Sequence, residues 1–304
     1  MTRELWLASP RGYCAGVDRA TQVVQLVLER QGSVYVRKQI VHNTHVVARL
    51  AAAGAHFVDE LDEVPEQATV VFSAHGVSPL VRAEAQARHL NVIDATCPLV
   101  TKVHREAQRL KCPVVLIGHA GHEEVEGTMG EAPERMHLVQ TPSDVAGLTL
   151  DPAEPVAWLS QTTLSVDETV ATVAALRARF PKLIDPPSDD ICYATQNRQQ
   201  AARDLAALCQ TIIVVGSANS SNSMRLVEVA QTAGAKTHRV DSADDLVDEW
   251  FDSVERVGIT SGASVPDDLV WGVVDWLTKR GWPKVQELTT AKETLRFALP
   301  PSLS

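Results

Sequence analysis

Short apolar runs alternate with amphipathic stretches of helical length along most of the 304 residues. The runs Leu5–Ala8, Val34–Val36, Val70–Phe72, Val92–Ile93, Val114–Ile117, Leu138–Val139, Val156–Leu159, Ile212–Val215 and Val257–Ile259 read as strands. Several are unbroken and rich in Val and Ile, as strands covered on both faces are. Between them, Val17–Arg30, Leu99–Leu110, Val166–Phe180, Tyr193–Cys209 and Met224–Ala233 read as helices. Alternation of this kind predicts βαβ units and an α/β fold with small, mostly parallel sheets.

A longer period lies over the short one. Cys14, Cys97 and Cys192 each precede a helix-length stretch, an apolar strand, a polar stop, a second strand and a second polar stop. The first stops are His42-Asn43, His122 with Glu124, and Ser220-Ser221-Asn222, lying 28, 25 and 28 residues after the cysteine. The second stops are His75, Gln161-Thr162-Thr163 and Ser264, at 61, 65 and 72 residues. Three pseudo-equivalent units are therefore expected at 14–96, 97–191 and 192–281, with the N-terminal strand of 1–13 joining the third. The remainder, 282–304, contains VQELTTAKETLRFALP, whose alternation reads as a short hairpin or tail. Ligands of open α/β sheets gather beyond the carboxyl ends of the strands, so the polar stops are predicted to face one central cavity.

Composition narrows the partners. A net charge of −10 argues against a general binder of nucleic acid or of membrane surfaces. No apolar run approaches the roughly 20 residues that span a bilayer. The N-terminus MTRELWLASPRGYCAG lacks the apolar core of a secretory signal, so the expected location is cytoplasmic. Five cysteines in such a chain suggest reduced thiols rather than a disulfide framework.

Cys112 and Cys209 sit where small core residues belong, one just before an apolar strand and one ending a helix. The other three lie at strand-to-helix junctions, where free N–H groups and the helix dipole favour a thiolate. Pro98, after Cys97, suits a first helical position. No C-x-x-C pair is present, and structural zinc would want a fourth ligand. Three thiolates on a threefold repeat suit a [4Fe–4S] cubane that leaves one iron without a protein ligand. Such an iron is a Lewis acid that also supplies electrons, suited to breaking a C–O bond reductively.

His42, His75 and His122 follow strands and can donate hydrogen bonds to anionic oxygens. GSANSSNS and SGAS take their place in the third repeat, with hydroxyl, amide and backbone donors near a helix start, an arrangement suited to phosphate. Neither a Walker A nor a G-x-G-x-x-G motif occurs. Among the clustered acids, Glu123 and Glu126 read as an ordinary solvated helix start. A carboxylate such as Glu124, held in a closed cavity beside a diphosphate, would have a raised pKa and could deliver a proton. Thr162 could relay that proton or hold a substrate oxygen. The residues alone do not choose among the three acids.

The segments PRGYCAGVDRA, VHN at 41–43, SAHGV, DATCPLVTKVH, IGHAGHEEVEGTMG, SQTTLSVDET, ICYATQNRQ, GSANSSNSMRL and ITSGASVPD run through nearly the whole chain. Together they resemble the LytB/IspH family of 4-hydroxy-3-methylbut-2-enyl diphosphate reductases. The resemblance implies a trefoil of α/β units around an iron–sulfur cluster. It also implies reductive removal of the C4 hydroxyl to give isopentenyl and dimethylallyl diphosphates, the last step of the non-mevalonate isoprenoid pathway. By motif, Cys14, Cys97 and Cys192 look like cluster ligands. His42, His75, His122, Ser220, Ser221, Asn222 and Ser264 look like diphosphate contacts. Glu124 looks like the proton donor, with Thr162 beside the substrate hydroxyl. Electrons would come from an external one-electron donor of ferredoxin or flavodoxin type. Two departures stand out: Glu123 where the family often has Pro, and Ala218 where Lys is common.

Two other readings of the residues remain at this point. A transferase or isomerase with a single nucleophilic cysteine would be colourless and would tolerate loss of two of the three thiols. A phospho-ligand sensor would bind anions without turnover in the presence of strong reductant.

Overall fold

The computed structural model describes residues 3–282 and 285–303. In chain order the elements are β1 (Glu4–Ser9), α1 (Ala15–Gln31), β2 (Val34–Arg37), α2 (Thr44–Ala52), β3 (Ala55–Val58), β4 (Thr69–Phe72), α3 (Pro79–Ala87), β5 (Asn91–Asp94), α4 (Pro98–Arg109), β6 (Val114–Ile117), α5 (Glu123–Met129) and β7 (Met136–Val139). They continue with β8 (Val156–Ser160), α6 (Val166–Arg179), β9 (Leu183–Ile184), α7 (Tyr193–Leu208), β10 (Thr211–Val215), α8 (Ser221–Thr232), β11 (Lys236–Val240), β12 (Arg256–Ser261), α9 (Asp267–Thr278) and β13 (Val285–Thr289). The chain divides into two compact units. One comprises Met1–Asp18, His42–Arg49 and Tyr193–Arg296, and the other Arg19–Val41, Leu50–Cys192 and Phe297–Ser304.

The second unit contains two four-stranded sheets, ordered β3-β2-β4-β5 and β7-β6-β8-β9. The first unit contains one sheet, ordered β11-β10-β12-β1-β13. Every strand pairing is parallel. This is the α/β class of small parallel sheets that the alternating pattern predicts. Each sheet uses the same permutation: the first strand lies inside, the second on its outer edge, and the third and fourth on its other side. In the third repeat, β1 from the N-terminus takes the fourth place, in register Leu5↔Val257 with β12.

Central strands are buried on both faces. All five residues of β10 are buried. Ile213 and Val215 pack with Leu7, Val273 and Leu277 on one side, and Ile212 and Val214 with Ala201, Leu205 and Leu226 on the other. β6 divides likewise, with Val114 and Leu116 facing one core and Val115 and Ile117 another. Each fully buried Val, Leu or Ile side chain contributes about 1.5–3 kcal/mol, which explains why the unbroken apolar runs become inner strands.

The pattern does not reveal β3, β9 or β11, nor the helices α2, α3 and α9, and it gives only the start of α5 and the alternation of β13. β3 (AHFV), β9 (LI), β11 (KTHRV) and β13 (VQELT) lie on sheet edges, where one side needs no apolar cover, and they carry polar residues or span two residues only. Of the short hairpin or tail read in this stretch, the described residues form a tail with a single strand. Residues 285–289 make one strand parallel to β1, in register Leu5↔Val285. It follows α9, a crossover helix, and so enters the sheet in the same direction as its neighbour.

Beyond β13, Glu293 accepts 2.9 Å from Nη1 of Arg198, a side chain with no exposure. Arg198 Nη2 also donates to the Gly12 carbonyl at 2.8 Å. Losing one partner of a buried ion pair leaves an uncompensated charge. Glu293→Ala should therefore lower stability by about 3 kcal/mol, read as a lower urea midpoint at unchanged slope. An unchanged midpoint would show that the pair does not hold the tail.

Candidate functional site

Three thiol-bearing junctions share one local design. Cys14 N donates to Ala263 O at 3.1 Å, Cys97 N to Ala74 O at 3.0 Å, and Cys192 N to Thr162 O at 3.0 Å. Each acceptor lies just beyond the third strand of a sheet, at or next to a second polar stop: Ser264, His75 and Thr162. Each cysteine then leads into a helix: α1, α4 or α7.

The preceding loops are pinned separately. Gly12 N donates to Ser261 Oγ at 2.8 Å. Asp94 Oδ1 accepts from Thr96 N at 2.9 Å and from its hydroxyl. Burial alone would raise the Asp94 carboxyl, but the Thr96 hydrogen bonds and Arg82 outweigh it and hold it low. Asp190, whose side chain is fully buried, accepts from Ser160 N at 3.0 Å and from Lys102 at 3.2 Å. All three cysteines are partly exposed, and no disulfide joins any of the five. Cys209 differs: it is buried, and burial pushes its thiol up to about 12.

The second unit brings His75, His122, Glu124 and Thr162 together. His122 caps α5, its Nδ1 accepting from Glu124 N at 3.1 Å. With Nδ1 an acceptor, the ring proton sits on Nε2. Burial first, then repulsion from His75 and His119, lowers the His122 pKa to about 3. It is therefore a neutral donor. Its ring meets that of His75 edge-on, with centroids 5.7 Å apart.

His75 Nδ1 lies 2.9 Å from Glu123 Oε2, and the Glu123 side chain is only 18% exposed. Glu123 does start α5 as expected, but the expectation that it is solvated is corrected: the carboxylate orients His75. Glu126 is exposed. Glu124 is 3% exposed, and its two oxygens accept from Thr162 N at 2.6 Å and Thr162 Oγ1 at 3.0 Å. Burial raises its carboxyl; the Thr162 bonds, His75 and His104 oppose this only partly. Glu124, Thr162 and Cys192 thus form one hydrogen-bonded chain.

The first unit brings together His42, Ser220, Asn222 and Ser264. Ser220 caps α8, accepting from Ser223 N at 3.3 Å, and Ser264 Oγ donates to His42 O at 2.9 Å. Thr44 N donates to Ser217 Oγ at 3.0 Å, tying the start of α2 to the loop after β10. A Cβ at Gly216 or Gly262 would lie 2.2 or 2.1 Å from Ser223 Oγ, so glycine at both strand ends lets α8 start against the sheet.

Ser220, Asn222 and Ser223 are all buried, which excludes a flexible surface loop. Both amide atoms of Asn222 are buried without a hydrogen-bond partner among the described residues. Leaving such groups unmade costs about 1–3 kcal/mol unless a polar ligand meets them. With the N–H groups of a twelve-residue helix beside it, the site suits an anion.

Sequence reasoning missed Glu123, Lys102 and Arg198 as supports of the site. Only Glu123 left a signal, through its place between His122 and Glu124. Asn43, flagged as part of a polar stop, caps α2 by accepting from Val46 N at 3.0 Å.

The description LytB protein matches residues 5–278. A 4-hydroxy-3-methylbut-2-enyl diphosphate reductase of Cutibacterium acnes is 64% identical over 99% of this chain and 95% of its own length. One of Rhodococcus opacus is 61% identical over 99% and 91%. Among solved structures, the E-1-hydroxy-2-methyl-but-2-enyl-4-diphosphate reductase from Plasmodium falciparum is 36% identical and superposes with a TM-score of 0.97, covering 100% of this chain and 97% of the other. No helix among the described residues is long and apolar enough to cross a membrane.

The raised Glu124 carboxyl means that folding favours its protonated form. Its contribution is full below the unfolded pKa of about 4.3 and is lost as pH rises through the raised folded value. Glu124→Gln cannot ionise, so the melting-point difference, variant minus native, should grow as pH rises from about 4 towards 8. A difference independent of pH would rule out a buried neutral acid.

Proposed function

We propose a function on one premise: the chain belongs to the LytB protein family. It is a 4-hydroxy-3-methylbut-2-enyl diphosphate reductase, removing the C4 hydroxyl reductively to give isopentenyl and dimethylallyl diphosphates. The observation that carries the reading is Glu124, a buried acid hydrogen-bonded through both oxygens to Thr162, whose own carbonyl holds Cys192.

Cys14, Cys97 and Cys192 would hold a [4Fe–4S] cluster. Supporting this, all three are partly exposed at helix starts with their N–H groups committed to strand-end carbonyls, whereas Cys209 is sealed in the core. When bound, such a cluster supplies electrons and one iron open to a substrate oxygen. Ser220, Ser221, Asn222, Ser264 and His42 bind the diphosphate, and the two unpartnered Asn222 atoms gain partners there. By the family resemblance His122, a donor through Nε2–H, and His75, oriented by Glu123, are also diphosphate contacts.

Glu124, whose carboxyl burial raises, gives its proton to the departing hydroxyl oxygen, which leaves as water. Thr162 Oγ1, already bonded to Glu124 Oε2, accepts from the substrate hydroxyl and keeps it in line with the acid. Two electrons and two protons balance the reaction. The electrons come singly from an external carrier of ferredoxin or flavodoxin type, since the sequence carries no flavin or nicotinamide fingerprint.

Anaerobic purification should yield a brown protein with about four irons per chain. Cys14→Ser, Cys97→Ser and Cys192→Ser should each deplete iron while Cys209→Ser retains it. Full iron in any of the first three would remove that ligand from the set. Glu124→Gln should leave diphosphate affinity nearly intact and cut turnover at least ~10²-fold. Asn222→Ala should weaken diphosphate binding without loss of iron, and equal affinity would reject its contact.

A further inference from the structure

The motif DATCPLVTKVH ends in a histidine that the function above does not use. His104 lies on α4, two turns beyond Cys97, and is 5% exposed. Its Nδ1 is 2.6 Å from Glu131 Oε1, in a carboxylate whose side chain is 4% exposed. Gln108 Nε2 donates to the other oxygen of Glu131 at 2.6 Å. A carboxylate can only accept here, so Nδ1 carries the proton, and the ring is held by a short, charge-assisted bond.

The adjoining Cε1–Nε2 edge of the ring meets two glycines. A Cβ added at Gly76, where φ is +81°, would lie 3.1 Å from His104 Cε1 and 3.2 Å from Nε2. A Cβ added at Gly127 would lie 3.3 Å from the same Cε1 and 3.4 Å from the Gly76 carbonyl group. Gly76 directly follows His75. Gly127 lies three residues after Glu124, on the same short helix. The segments carrying the histidine and the acid therefore close onto one imidazole edge, with no side chain between them and the ring.

We propose that His104, pinned by Glu131, is a positioning residue: its ring is the common abutment that sets Glu124 relative to His75. The proposal rests on the function argued above, in which His75 meets the diphosphate and Glu124 protonates the leaving oxygen. A fixed ring on a rigid helix holds that spacing better than a loop could, and misplacement of about 1 Å can cost ~10² in rate. The loss should fall mainly on kcat, because the proton donor moves relative to a substrate that still binds.

The test compares kcat, KM and iron content of the reconstituted enzyme for native chain, His104→Ala, Glu124→Gln and the double variant. His104→Ala should keep its iron and lose about 10²-fold in kcat, with KM changed far less. In the Glu124→Gln background the same substitution should cost little more, since a residue acting through Glu124 cannot be lost twice. Native kcat in His104→Ala with full iron overturns the proposal, as does an equal loss in both backgrounds. If His104→Ala does not fold, Glu131→Gln keeps the ring but replaces its charged anchor, and should lower kcat about fivefold with full iron; native kcat there also overturns it. Native turnover in Glu124→Gln alone would instead sink the function on which the proposal stands.

Discussion

The N–H groups of Cys14, Cys97 and Cys192 donate to carbonyls just beyond the third strands of their sheets, at 3.1, 3.0 and 3.0 Å. A residue at a helix start has no intrahelical acceptor for this proton, so some other group must take it. Taking it from the end of a strand places each thiol at the carboxyl edge of a parallel sheet. The same bond sets the thiol beside the polar group that ends that strand: Ser264, His75 or Thr162.

Around these junctions the protein keeps polar groups in states that cost stability. Glu124 is buried and raised, although two hydrogen bonds from Thr162 favour its charged form. His122 is neutral because burial, and then repulsion from His75 and His119, disfavours its charge, while its Nδ1 is occupied by a backbone N–H. Asn222 holds a buried amide without partners among the described residues. Such local conflicts belong to functional sites, where the compensating interaction is made by a ligand or by the reacting group. Some polar groups elsewhere are met conventionally, as when Ser165 caps α6 or Asp245 closes a capping box with Ser242.

Glu123 shows how a departure from a family pattern acquires meaning only in three dimensions. A proline at that position could not orient His75; the carboxylate here does so from 48 residues away. Inner strands such as β6 and β10 were legible because burial on both faces forces an unbroken apolar run. The edge strand β11, reading KTHRV, was not, because a half-covered strand tolerates polar side chains and resembles a loop. The tail misled for a related reason: alternation in VQELT reports a strand with one covered face, but not the direction of its partner. Only the start of α5 was legible, in its acids, because seven residues with an internal glycine make too short a periodic signal.

Composition and periodicity by themselves determined the α/β class, the threefold recurrence of thiol and polar stop, and the set of residues at the strand ends. These follow from local chemistry: apolar runs seek burial, and polar residues end them. Tertiary structure decided the partners. It put β1 in the fourth place of the last sheet, joined Glu124 to Thr162 across 38 residues, and set His104 against two glycines of different segments. A side chain's need for a partner is written in its own chemistry; which partner meets it depends on where the remote chain is carried.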